Sequence, residues 1–141
     1  MNDMLSFKVF VSHGAGDSWV ARQMGRRIRE DCEAGTFLDV DDVASGDNFK
    51  ERIHAELHQA QELVVLFTPW SVTRSWVWIE VGVTWGQGKR VIAVLHGLSI
   101  TQFEELAGGK AILEHINILE LNDFDRYLTE LRSRVSEANN G

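Results

Sequence analysis

Cysteine occurs once in this sequence, positive charge is in deficit, and no long apolar run is present. A lone Cys32 cannot build an internal disulfide framework, and it fits a reducing compartment, so a cytoplasmic location is expected. With 14 Lys and Arg against 21 Asp and Glu, the net charge of −7 argues against a general binder of nucleic-acid phosphates. It leaves room for a small anionic ligand held locally. No stretch approaches the length of a membrane span, and MNDMLSFKVF lacks the basic region and apolar core of a signal peptide, so no membrane contact is expected. There is no repeat, linker or low-complexity segment, no Walker loop and no GxSxG. What remains is ordinary globular composition, 44% hydrophobic and 25% charged over 141 residues. One domain covering residues 1–141, with its core at about 7–137, is the simplest expectation.

Five apolar runs alternate with amphipathic ones. FKVFVS (7–12), TFLDV (36–40), LVVLF (63–67), RVIAVL (90–95) and HINILEL (115–121) read as strands. Between them Val20, Met24 and Ile28 mark one helix, with Asp17 as its cap and Gly35 near its end. Phe49, Ile53 and Leu57 mark a second helix, with Asp47 as its cap. A third starts at Ser71 or Arg74 and runs to Trp85, and a short one is expected around 102–106. Phe124, Leu128, Leu131 and Val135 mark the last, with EANNG expected to fray. Alternating strands and helices imply a flavodoxin-like three-layer α/β fold, a five-stranded parallel sheet of order 2-1-3-4-5 with helices on both faces. In such sheets ligands bind beyond the carboxyl ends of the strands, at the switch point between the first and third. That crevice would be bordered by Ser12–Asp17, by Thr68–Trp76 and by the loop Asp39–Asn48.

The third helix is apolar nearly all round, and Glu80 and Thr84 form its polar strip. An acid near a helix start is favoured by the dipole, and that structural account of Glu80 stands beside a functional one. His54 and His58 lie four apart, but HAELH is not HExxH and offers no third ligand, so no metal site is expected. The acids of DVDD (39–42) lack EF-hand spacing, and turn or capping roles suit them better. A phospho-receiver would need acids after the first strand and an aspartate ending the third; Ser12-His13 and Thr68 stand there instead.

Four collinear blocks carry a family resemblance. FKVFVSHGAGD, FLDVDDVASGDNFKERIHAEL, LVVLFTPWSVTRSWVWIEVG and RVIAVL resemble, in order and spacing, the blocks of Toll/interleukin-1 receptor (TIR) domains, the bacterial stand-alone kind above all. Many TIR domains cleave NAD+ at the nicotinamide–ribose bond, with a catalytic glutamate four residues after a tryptophan. The resemblance therefore implies Glu80 as the catalytic residue, one turn after Trp76, with Ser75 and Trp76 among the substrate-binding residues. It implies Ser12, His13 and Gly14 in a substrate loop, Asp41, Asp42, Ser45 and Gly46 in the BB loop, and Phe49 as a nearby wall. NAD+ is then a substrate, and no separate cofactor is implied. The products would be nicotinamide and ADP-ribose or a cyclic variant of it, in antiphage defence. TIR–TIR self-association on activation is implied too, with a separate sensor or effector protein as a further partner. Trp70 and Trp78 are candidates for such contacts, with core packing as their alternative. The competing readings are a non-catalytic TIR adaptor or host-mimicking effector, and an enzyme resembling nucleoside deoxyribosyltransferases, which rests on fold analogy alone.

Overall fold

In the computed structural model, residues 7–38, 49–108 and 111–140 are described. Strand β1 (Lys8–Ser12) leads through a 3-10 turn into α1 (Ser18–Cys32), followed by β2 (Gly35–Leu38) and α2 (Phe49–Gln59). Then come β3 (Glu62–Phe67), α3 (Ser75–Gly86), β4 (Arg90–Leu95), α4 (Ile100–Leu106), β5 (Asn117–Glu120) and α5 (Phe124–Asn140). The sheet order is β2-β1-β3-β4-β5, and every neighbouring pair is parallel. This is the expected topology.

The continuous apolar runs follow from burial on both faces: all six residues of β3 are buried. Alternation along the strands divides the core. Val9, Val11, Val64, Leu66, Ile92 and Val94 pack with α1 and α5. Phe10, Leu63, Val65, Phe67, Val91 and Ala93 pack with α2, α3 and α4. Ser12 shares the parity of Phe10, so β1 aims its hydroxyl at the α3 side.

Several boundaries differ from the sequence expectation for local reasons. Helix α1 closes at Glu33, which is left-handed (φ 57) and returns its N–H to the Arg29 carbonyl. Gly35, expected near that closure, instead opens β2 by donating to the Phe7 carbonyl at 2.8 Å. Helix α3 takes the later of its two expected starts, with Arg74 as N-cap and Ser75 first in the helix, because Ser71 is spent in the preceding turn. Its hydroxyl accepts from the Thr68 N–H at 2.9 Å and donates to the Leu66 carbonyl at 3.0 Å. In front of α4, Ser99 and Gln102 form a reciprocal capping box. Helix α5 extends to Asn140 and so takes in EANN, although no described residue beyond Val135 is buried.

One buried charge joins the last helix to the sheet. Glu62, 1% exposed at the start of β3, accepts two hydrogen bonds from the Arg134 guanidinium, both at 3.0 Å. The Tyr127 hydroxyl donates to the same carboxylate at 2.5 Å. Arg134 also stacks over the Tyr127 ring. Among the described residues no helix is long and apolar enough to cross a membrane.

Candidate functional site

The carboxyl ends of β1 and β3 meet the start of α3, and a buried polar pair sits where they join. The Ser12 hydroxyl donates to Glu80 Oε1, and both side chains are 0% exposed. Around them α3 is apolar on nearly every side: Val77 and Val81 enter the core, while Ile79 is half exposed to solvent. Thr84, one turn beyond Glu80, is also buried, and its hydroxyl has no hydrogen-bond partner among the described residues. Trp76, one turn before Glu80, is half-buried, and Ser75 lies exposed at the first position of the helix.

The two bordering loops are fastened to each other. Asp17 precedes α1 but its carboxylate does not cap it; it accepts instead from the Thr68 hydroxyl at 2.8 Å. Gly14 packs so closely on the second loop that a Cβ there would stand 3.3 Å from Ser71 Cβ and 3.4 Å from Asp17 Oδ2. His13 is buried, and its Nδ1, as the protonated nitrogen, donates to the Gly14 carbonyl at 2.8 Å. Pro69 rests on Gly97, the left-handed glycine (φ 75) of the loop after β4. The loops after β1, β3 and β4 are thus braced against one another at this end of the sheet.

The structure brings Ser12, His13, Gly14, Ser75, Trp76 and Glu80 to this one end of the sheet. Asp41, Asp42, Ser45, Gly46 and the expected cap Asp47 lie outside the described residues, as does the side chain of Phe49, which opens α2. His54 and His58 are both exposed, and no cluster able to hold a metal occurs among the described residues. Trp70 is 73% exposed at the crevice rim. Trp78 is a core residue instead: its indole N–H donates to the Val72 carbonyl at 2.7 Å, and its ring packs on Phe67 and Phe103. Thr68, Ser71 and Asp17 form a bracing network that periodicity alone does not reveal, since each is an ordinary loop polar residue in sequence. Cavities of about 380 and 500 Å³ open beneath α5 beside β4–β5 and between α1 and the start of α5, and neither is lined by Ser12 or Glu80.

Comparison with known proteins gives a consistent picture. The family model described as TIR domain matches residues 9–132. The TIR domain of the Toll-related receptor TRR-2 from Hydra magnipapillata superposes with a TM-score of 0.65 at 18% identity, covering 88% of this chain and 97% of that one. The TIR domains of the activated Roq1 resistosome, which directly recognises the pathogen effector XopQ, give 0.62 at 16%, covering 96% and 84%. The CMP N-glycosidase BcmB of Clostridium botulinum gives 0.51 at 16%, covering 88% and 97%. At such identities the likeness is one of fold. No curated protein matches the sequence.

Proposed function

The chain belongs to the TIR-domain family, and from that premise we propose that it is an NAD+-cleaving enzyme whose reactive group is Glu80. The observation that carries this reading is a carboxylate buried at the switch-point end of the sheet, hydrogen-bonded to Ser12 and one turn after Trp76. A lone carboxylate suits this substrate. Ordinary glycosides need a second, protonated carboxyl because the leaving oxygen must gain a proton. In NAD+ the ribose C1′–nitrogen bond breaks with its electron pair going to the pyridinium nitrogen, so nicotinamide leaves neutral without a proton. Positive charge then develops on the ribose ring, and an ionised Glu80 beside it stabilises that oxocarbenium-like state. Water adds at C1′ and releases one proton, giving ADP-ribose; capture by an internal nucleophile gives a cyclic product.

Trp76 supplies an apolar wall that excludes water, and His13, Gly14 and Ser75 border the rest of the dinucleotide. Asp41, Asp42, Ser45, Gly46 and Phe49 complete the proposed substrate contacts. That a glycosidase acting on CMP shares the fold supports cleavage of an N-glycosidic bond as the reaction class. Glu80 has no solvent contact in this conformation, so NAD+ reaches it only after a rearrangement. Clustering of TIR domains on activation is the proposed trigger, with antiphage defence in the cytoplasm as the setting and a separate sensor or effector as a further partner.

The same burial favours a second reading, a non-catalytic interaction module. Nicotinamide release from NAD+ by concentrated or crowded protein, compared with Glu80→Gln, tests both. Release by the native protein and a loss of a hundredfold or more in the variant is expected. Equal release by both would remove Glu80 from the mechanism, and release by neither would leave the interaction module. Cleavage of CMP but not NAD+ would move the substrate class to mononucleotides.

A further inference from the structure

We propose that Ser12 is the positioning residue of this site, a hydroxyl on a fixed strand that orients the Glu80 carboxylate and keeps it charged. The catalytic half of this statement rests on the NAD+-cleaving reading of Glu80. The electrostatic half rests on the geometry alone.

Ser12 ends β1, where it is in register with Val65 of the central strand β3, so its backbone is held by the ladder. Strand parity turns its side chain toward α3, and the hydroxyl reaches Glu80 Oε1 across 68 residues of sequence. A serine hydroxyl carries a single proton. In this conformation that proton is engaged by Glu80, and both side chains are 0% exposed. Its influence passes through the carboxylate.

Two physical effects follow. A hydrogen bond donated to the charged form favours that form, which matters most where Glu80 is shut away from water. It also fixes the plane of a carboxyl group at the end of a flexible side chain, and orientation is what such a group must supply. Fold stability does not explain the pair. A buried polar pair can usually be replaced by apolar residues of similar volume at little or no loss, and apart from Thr84 the buried residues of α3 around Glu80 are apolar.

The test uses Ser12→Ala and Ser12→Cys in the full chain, the second being close to serine in shape and a weaker donor. The carbon-13 resonance of the Glu80 carboxyl, assigned by its disappearance in Glu80→Gln, is titrated in each protein. Ser12→Ala should raise its midpoint by about one pH unit or more, and Ser12→Cys should fall between. With NAD+, Ser12→Ala should lower kcat about tenfold or more with KM within about twofold, and move the acid limb of the kcat profile upward by the same pH interval. An unchanged carboxyl midpoint would overturn the proposal. A rise in KM at constant kcat would also overturn it and make Ser12 a substrate contact. If no protein cleaves NAD+ but the midpoint moves, the functional reading fails while the control of Glu80 by Ser12 stands.

Discussion

Removing one hydroxyl, in Tyr127→Phe, should cost stability at neutral pH and return most of that cost in alkali. At neutral pH the change deletes a hydrogen bond to a carboxylate that is 1% exposed, while both Arg134 contacts to Glu62 remain. A hydrogen bond to a charged group contributes about 1.5–3 kcal/mol, so a loss of about 2 kcal/mol is expected. Alkali reverses the balance. Burial first, then the charge and hydrogen bond of Glu62, hold the Tyr127 phenol protonated well above its ordinary 10. The unfolded chain releases this proton near about pH 10, whereas the folded chain keeps it. Above that pH the native state binds more protons, so stability falls as pH rises, by up to about 1.4 kcal/mol per pH unit. Phenylalanine has no proton to lose. By about pH 11 the gap between the two proteins should shrink by about 1.4 kcal/mol. Tyr127 is the only tyrosine of the chain, so phenolate absorbance reads it directly, and urea denaturation of both proteins at each pH gives the gap. Buried Cys32, whose thiol is pushed up chiefly by desolvation, affects both proteins alike. Phenolate absorbance rising near pH 10 in the folded protein, or a gap that does not change with pH, would refute the reasoning.

Two further changes probe the crevice. Gly14→Ala places a methyl group 3.3 Å from Ser71 Cβ in a backbone conformation alanine tolerates (φ −80), so only the neighbouring loop must yield. It should cost about 1 kcal/mol in urea denaturation and reduce nicotinamide release more than that loss predicts; a proportionate reduction would separate the brace from the chemistry. Trp70→Ser removes an indole that is 73% exposed, so stability should stay within about 0.5 kcal/mol. Sedimentation at high concentration should then show weaker self-association, and identical sedimentation of both proteins would exclude Trp70 from the contact.

Strand order and helix placement were legible because burial on both faces imposes continuous apolar runs, as in LVVLF and RVIAVL, and right-handed crossovers leave few arrangements. Glu80 was legible as an acid out of keeping with its neighbours, and the family resemblance singled it out with Trp76. Its tie to Ser12 was not, because contact between two side chains 68 residues apart depends on strand parity and helix rotation together. Asp17 shows the converse limit. Its position before a helix suggests a cap, yet a tertiary acceptor role toward Thr68 took precedence over the local preference. Trp78 and Trp70 look alike in sequence, but the Trp78 ring packs on Phe67 and Phe103 and its indole N–H donates to the Val72 carbonyl, whereas Trp70 is exposed. Glu62 gave no signal at all, since its partners Tyr127 and Arg134 lie in the last helix.

That last contact bears on when the site can exist during synthesis. Ser12, Trp76 and Glu80 have all been made before β4 is translated, yet β4 pairs with β3 from Glu62–Arg90 to Phe67–Leu95. Until α5 leaves the ribosome, Glu62 lacks the paired Arg134 contacts and the Tyr127 hydrogen bond that accompany its burial, which makes burying that end of β3 costly. A nascent chain therefore carries every described group of the proposed chemistry without the frame that aligns them. The proposed NAD+ cleavage would then require α5 to have docked on the sheet before any clustering could trigger it.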